Sequence, residues 1–599
     1  MHREIPRGVT YRDSMQQKKI SRQILLPIVS LGLLAGVTAC SGSDEKVEGQ
    51  YGGDVKVGIF DNFPGFCVGN NPANSALMAT RTIYETLFEK TENGGLVGLL
   101  AESATPSADL KTWTIDLREG IAFHDEVPFN ADAVIANFNA ITGRVAAAAF
   151  KASGVAGLQA KSYTIGTGTA FTANILNVKK VGEYTVEFTL ERAQNDFPAT
   201  LYASGRFFMR SPAQLEDATT CGQKPIGTGP FEFSSYTPSQ LVVTRNANYW
   251  RTDPESGAQL PYLDKITFDV VIDGVQRSSA VRTGAYDAVF FSAATDATFI
   301  QDLRERTDDT TEYQSEREYY PSLWLNQGKP GSPFANKAAR QAVLSCLDRD
   351  GFNTDRLKGE GDVATSIVGP ENVMYSTTGF PSYDPDRAHI YVAQYMKETK
   401  KPSLTFTFPV DTSLASQANA RFLQQMWKEC KISAKFTVEQ TPVILSKVFN
   451  PSPDVSKGQY YNSYDAVFLT LFEGNDAAFN VPFVLSNAYP ADSVNPVKPL
   501  FQMSLGKVLG LNHHSDTEVD QFFYRGQAAA TDEEAQQSFQ EGTAYLQKNA
   551  FMGALAAHYY SLFTTKKLDG IGTLLLPDTS IQRLVTNWGV DWTGIYKKQ

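Results

Sequence analysis

Phe123-His124-Asp125-Glu126-Val127-Pro128-Phe129-Asn130-Ala131-Asp132-Ala133-Val134 stands between two kinds of periodicity. Before it, Trp113-Thr114-Ile115-Asp116-Leu117 alternates as a strand does; after it, Asp132 to Ile141 reads as a helix. The same exchange repeats outward in both directions. Residues 54–60 read as a strand, and Asn62-Phe63-Pro64-Gly65-Phe66-Cys67 as a turn-rich loop. From Ser75 to Phe88, Ala76, Ala79, Ile83 and Leu87 share one helical face. Residues 184–190 and the stretch around Leu241-Val242-Val243 read as strands, and Asn336 to Asp348 and Ala418 to Cys430 as helices. Thr531 with Glu534 forms a capping box for a helix reaching about Lys548. Strands and helices interleave throughout, so the fold class is α/β. Regions 143–180 and 450–463 read as loop insertions, rich in Gly, Ala and Thr or in Ser and Asn.

The chain has 599 residues, beyond the roughly 250–300 at which a single core stops growing, so two or more lobes are expected. A hydrophobic share of 42% and a charged share of 20% exclude a disordered chain. The net charge of −11 excludes a nucleic-acid binder of the basic-patch kind. Aromatic residues make up 12%, which suits large cores or a cleft that grips by stacking.

Residues 1–39 read as an address. Arg3, Arg7, Arg12, Lys18, Lys19 and Arg22 precede an apolar run from Ile24 to Ala35, the order of a secretory signal. Val37-Thr38-Ala39 before Cys40 resembles a bacterial lipobox, so Cys40 is expected to be diacylated and to become the mature N-terminus. Residues 40–52 then read as a polar tether. The expected location is extracytoplasmic, held on the bacterial cell membrane by lipid rather than through it. Loss of residues 1–39 removes six positive and two negative charges and leaves −15.

Enzyme signatures are absent. There is no G-x-S-x-G, H-E-x-x-H, P-loop or complete G-x-G-x-x-G. His124-Asp125 has no accompanying nucleophile and reads as a turn hydrogen bond. His513-His514 reads as a solvated loop pair, so no metal site and no cofactor are expected. Cys67, Cys221, Cys346 and Cys430 allow three pairings in an oxidising compartment.

Several segments, taken in order, resemble the peptide-binding cluster of extracytoplasmic solute-binding proteins of ABC importers, family 5. Residues 98–103 resemble "P-x-L-A-E-S", and residues 113–120 resemble "T-x-x-L-R-x-G". Residues 123–134 resemble "F-H-D-G-x-P-F-T-A-D-D-V", residues 225–231 "P-V-G-T-G-P-Y", residues 245–250 "R-N-P-x-Y-W", and residues 339–349 "V-R-Q-A-x-x-x-A-I-D-R". Glu126 stands for a Gly and Ala133 for an Asp, departures expected to alter loop shape. Gly227 and Gly229 are expected to supply positive φ in a tight turn, and Tyr249-Trp250 to anchor a core edge.

The resemblance implies a two-lobed, type II periplasmic-binding-protein-like fold with an extra lobe I subdomain at about 90–200 and a hinge between the lobes. Lobe I is expected over 53–317 plus 557–599 and lobe II over 318–556. Chain crossings are expected near residues 318–326 and 556–560, with solute enclosed by hinge closure. One disulfide per lobe follows, Cys67–Cys221 and Cys346–Cys430. The implied function is a receptor that captures oligopeptides and delivers them to ABC permease subunits, as a monomer, with no catalysis and no nucleic-acid partner. The alternatives are a non-peptide solute (oligosaccharide, metal chelate or haem), a secreted hydrolase, or a sensing lipoprotein. Ligand contacts are expected from Asn62, Phe63, Phe66, Trp324, Asn326 and Phe472. A buried peptide ammonium needs a carboxylate. The family segment "W-x-x-D-x-x-D-P" has its counterpart at residues 469–479, where Glu473 and Asp476 are the nearest acids and the clamp is displaced or absent.

Overall fold

The computed structural model describes residues 51–68, 74–142, 171–216, 220–306, 308–317, 320–449, 463–472, 477–486, 510–586 and 588–598. The signal segment, Cys40, Glu473 and Asp476 lie outside the described residues. No helix of the described residues is long and apolar enough to cross a membrane.

The first lobe is built on a seven-stranded sheet. Its order is Thr310–Gln314, Tyr560–Thr565, Ala288–Ser292, Asp54–Ile59, Lys265–Val270, Gln240–Arg245 and Phe231–Thr237. The strand Asp54–Ile59 is parallel to both neighbours, which are joined in sequence through the helix Gly274–Arg282; the helix Ala293–Arg304 follows the second of them and leads to the edge strand Thr310–Gln314. Val55, Val57 and Ile59 are fully buried in a core with Ile266, Phe268 and Phe290. A four-stranded antiparallel sheet, Ala101–Pro106, Thr112–Leu117, Thr185–Leu190 and Ile175–Gly182 in spatial order, forms a separate layer. Its alternating residues Trp113, Ile115, Leu117, Val186 and Phe188 bury one face. The end of the expected loop insertion at 143–180 is therefore strand: Ile175–Gly182 begins within it and is stabilised by its ladder to Thr185–Leu190.

The chain leaves the seven-stranded sheet at Gln314 and enters a three-stranded antiparallel sheet at Tyr320. The partners of Tyr320–Leu325 there are Ala466–Phe472 and Met552–Ala554. It returns through Ala556–Ala557 to Tyr560–Thr565. The second lobe adds the parallel pair Leu404–Val410 and Ile432–Val438, with Trp427 packed among Phe406, Phe408 and Phe468. Disulfides join Cys67 to Cys221 in the first lobe and Cys346 to Cys430 in the second, with Cα atoms 4.9 and 6.3 Å apart.

Three local expectations are corrected. The helix expected from Ser75 to Phe88 ends at Thr80. Ile83 and Leu87 are buried as expected, but the carbonyls of Thr82 and Ile83 accept the N–H groups of Phe231 and Gly229, 2.9 Å each, so tertiary pairing replaces the helix. Gly227 and Gly229 are absent from the positive-φ glycines among the described residues. They are glycine because a Cβ there would lie 2.0 Å (Gly227) or 2.6 Å (Gly229) from backbone atoms of Ile83. His513 and His514 are buried, not solvated. His514 Nε2 is 2.9 Å from the Val484 carbonyl and its ring lies 4.7 Å from that of Phe551. Burial lowers the His513 and His514 pKa values to about 3 and about 4, the ring of His514 also disfavouring charge on His513.

Candidate functional site: the boundary between the lobes

In an α/β sheet, the C-terminal end of a strand flanked by two parallel neighbours opens a crevice where solutes bind. Asp54–Ile59 is such a strand, and Phe60-Asp61 follows its end. Asp61 accepts the Ser75 N–H and hydroxyl, each at 2.9 Å. Loss of water raises its pKa to about 6; the Ser75 bonds and Arg277 pull it down, and the charge of Asp411 pushes it up. Asp411 belongs to the second lobe, immediately after the strand Leu404–Val410. It accepts the Ser413 N–H at 2.7 Å and the Ser416 hydroxyl at 2.5 Å, at the start of the helix Leu414–Glu429. The charge of a carboxylate on the second lobe thus reaches Asp61 on the first.

The surroundings are fixed by buried groups. Arg277 pairs with Asp296 at 2.7 Å and donates to the Val271 and Ile272 carbonyls at 2.6 and 2.8 Å. Its guanidinium sits 5.4 Å from the Phe60 ring, which stacks on Phe290 at 5.9 Å. Across the boundary, Asn419 Nδ2 meets the Ala294 carbonyl at 3.5 Å.

At the crossings, Arg304 holds both lobes. Its Nε and Nη2 take the two Glu312 oxygens at 2.8 and 2.9 Å, and Nη1 reaches both oxygens of Glu360 at 3.1 Å. Tyr559 accepts from Arg304 at 2.9 Å and donates to Glu360. Glu360 lies beyond the first crossing and Tyr559 on the return, so this cluster ties the two chain passages together.

The expected ligand residues are distributed unevenly. Phe63 and Phe66 are buried in the first lobe against Tyr236, at 6.3 and 5.1 Å, which makes them core residues; Asn62 is exposed. Trp324 is fully buried at the boundary, 6.3 Å from Phe483, within an apolar cluster that also includes Phe171 and Phe207 of the first lobe. Asn326 donates to the Tyr464 carbonyl at 2.9 Å and accepts from the Gly328 and Lys329 N–H groups, bracing a turn. Phe472 closes the strand Ala466–Phe472, and its side chain lies outside the described residues. The sequence reading missed Asp61, Asp411 and Arg277. The available signal was positional: Asp61 and Asp411 each stand just past the C-terminal end of a strand in an α/β chain.

The motif residues are structural. His124 Nε2 is 2.9 Å from the Gly229 carbonyl, while Asp125 accepts the Ser211 hydroxyl at 2.6 Å. Tyr249 and Trp250 donate to the two oxygens of buried Glu85 at 2.8 and 2.9 Å, anchoring a core edge.

Known proteins complete the picture. Residues 95–478 match the family model described as bacterial extracellular solute-binding proteins, family 5 Middle. The chain is 28% identical over 417 residues to the glutathione-binding protein GsiB of Escherichia coli K12, covering 68% of this chain and 73% of that one. Its fold is similar to that of the periplasmic binding protein DppA from Helicobacter pylori in complex with the peptide STSA, with a TM-score of 0.72, 19% identity and coverage of 93% and 100%. It is equally similar to AgaA of A. tumefaciens R10 in complex with agropinic acid, with a TM-score of 0.73, 17% identity and coverage of 91% and 99%. These likenesses fix a two-lobed α/β fold of the periplasmic-binding-protein kind. The chain belongs to the bacterial extracellular solute-binding proteins of family 5, non-enzymatic receptors that hand small solutes to ABC importers.

Proposed function

We propose that this receptor captures oligopeptides with a free amino terminus between its lobes. The observation that carries the reading is the placement of Asp61 and Asp411 just past strand ends on facing lobes, with the charge of Asp411 reaching Asp61. An ammonium withdrawn from water needs a carboxylate partner, and here each lobe supplies one, so the charge of the solute favours closure. Similarity to proteins named for glutathione and solved with a peptide supports a peptidic ligand. In this reading the clamp has moved from the Glu473 and Asp476 segment to the strand ends. Lobe I spans 53–317 plus 557–599 and lobe II 318–556, with the Arg304 cluster at the hinge. Cys40 carries the lipid, and the mature protein acts as a monomer on the outer face of the membrane; Cys40→Ser should release it into the medium.

Calorimetry with a pool of short synthetic peptides tests the reading. Removing one partner of a buried ion pair costs about 3–5 kcal/mol, which is more than about a hundredfold in affinity. Asp411→Asn should show that loss, and N-acetylated peptides should bind as weakly to the unmodified protein. If Asp411→Asn binds normally while Glu473→Gln or Asp476→Asn loses affinity, the amine is held at the family's usual segment. Equal binding of acetylated and free peptides overturns recognition through the amine and favours a non-peptide or end-blocked solute.

A further inference from the structure

The lobes also touch at a place that contains neither crossing. Residues 191–196 follow the strand Thr185–Leu190 of the four-stranded sheet, and the helix Thr517–Gln527 belongs to the second lobe. Asn195 reaches the C-terminal end of that helix with both its backbone and its side chain. Its N–H donates to the Gln527 carbonyl at 2.8 Å, and Nδ2 is 3.3 Å from the carbonyls of Gly526 and Ala529. The last carbonyls of a helix have no partner within the helix and carry its negative end, so a neutral amide donor fits there. Arg192 lies with its guanidinium 4.2 Å from the Tyr524 ring, on the last turns of the same helix, and 3.4 Å from Glu191.

The reaching segment is held in shape before it meets the helix. Asn174 accepts the Arg192 N–H at 2.9 Å and donates to the Arg192 carbonyl and to Gln194 Oε1 at 3.2 and 2.9 Å. Gln194, buried, donates in turn to Asp196 and Thr200 at 2.8 and 2.7 Å, and its carbonyl accepts from Trp113 at 3.1 Å. The contact therefore costs little ordering of the loop. Beside it the lobes meet through apolar groups: Phe171 stacks on Phe479 with ring centroids 5.0 Å apart, and the helix Phe197–Tyr202 packs on Ala477–Val484.

We propose that Arg192 and Asn195 form a clasp on the C-terminal end of the helix Thr517–Gln527 that favours the closed state whether or not solute is present. Opening about the crossings separates the two lobes here, so Asn195, the helix carbonyls of Gly526 and Gln527 and the Ala529 carbonyl just beyond the helix must lose these contacts, and Arg192 must leave Tyr524. The clasp adds the same increment to the affinity for every solute, which makes it a setting of overall affinity rather than of specificity. It is independent of what the cleft binds.

The test uses the mature protein, unfolded and refolded with its disulfides intact to strip any solute. Small-angle X-ray scattering reports the closed fraction through the radius of gyration. Asn195→Ala should lower the closed-to-open ratio by about fivefold to tenfold and expand the particle. Asn195→Asp should expand it further, because a carboxylate then faces helix carbonyls. Lys179→Ala, on the same sheet but remote from the clasp, should change nothing. A cysteine pair at Asn195→Cys and Ala529→Cys should be captured by a short bifunctional thiol reagent without solute. The proposal is overturned if the radius of gyration is the same in the unmodified protein, Asn195→Ala and Asn195→Asp, or if the cysteine pair is captured only after solute is added.

Discussion

His124 and Gly229 lock two turns together: Nε2 of the ring is 2.9 Å from the glycine carbonyl, 105 residues away in sequence. The backbone of the glycine loop lies equally close to residues 82–83, whose carbonyls accept from Gly229 and Phe231 at 2.9 Å. Desolvation of the ring lowers the His124 pKa, while the Gly229 carbonyl and the nearby Asp125 charge pull the other way. The site is a joint between the subdomain and the main sheet of the first lobe, and its tolerance for added atoms is small.

Gly229→Ala therefore places a methyl 2.6 Å from Ile83 and Thr82 backbone atoms. Forced overpacking of this kind costs about 1–3 kcal/mol. Urea unfolding followed by tryptophan fluorescence should show a lower midpoint, and an unchanged midpoint would refute the close-approach reading of this glycine.

Glu126 adopts φ of +65°, the left-handed conformation that a glycine takes freely. A Glu where the family motif has Gly thus holds the backbone in a strained conformation. Glu126→Gly should relieve a penalty of about 1–2 kcal/mol, less what the more flexible unfolded chain takes back, so a net gain of about 1 kcal/mol is expected. A destabilised Glu126→Gly protein would show instead that the Glu126 side chain contributes to the fold.

Binding of amines should weaken in acid. Asp61 titrates at about 6, raised chiefly by burial, so below that pH it is neutral and cannot pair with an ammonium. A bound cation favours the carboxylate, so binding near pH 5 to 6 should release protons. Calorimetry of a free-amine peptide in two buffers of different ionisation enthalpy reads both effects. Affinity that is flat from pH 7.5 to 5 would remove Asp61 from the clamp.

His513 and His514 are neutral in the fold, with pKa values near 3 and 4, and ordinary at 6.5 when unfolded. Between those values the unfolded chain binds more protons than the folded one. Stability should accordingly fall as pH drops through 6.5 and keep falling to about pH 4. Thermal melts across this range should show the slope, and His514→Gln should reduce it. A slope unchanged in that variant would assign the acid sensitivity elsewhere.

Much of the architecture was legible in local periodicity because one buried face imposes it. Trp113 to Leu117 alternates since alternate side chains enter the core, and the observed strand is Thr112–Leu117. Asn130 caps the helix Ala131–Ile141, and Thr531 accepts the Glu534 N–H at the start of Asp532–Lys548; these helix starts are set by neighbours in sequence. Ordered motifs placed the chain in its family for the same reason, each recording a local constraint.

What the sequence left open depended on segments far apart in the chain. Ile83 has a helical neighbour pattern, yet its carbonyl serves Gly229, and only the folded chain brings those backbones together. His513 and His514 look like solvated loop residues, yet both are buried in the fold, His514 against Phe551. Asp61 and Asp411, 350 positions apart, come within reach of each other's charge only in the folded chain, and Asn195 finds its helix end the same way. The sequence by itself determined which residues seek the interior and where helices and strands begin. Tertiary structure alone decided which charges and carbonyls confront one another, because that depends on approach between surfaces and not on the order of residues along either one.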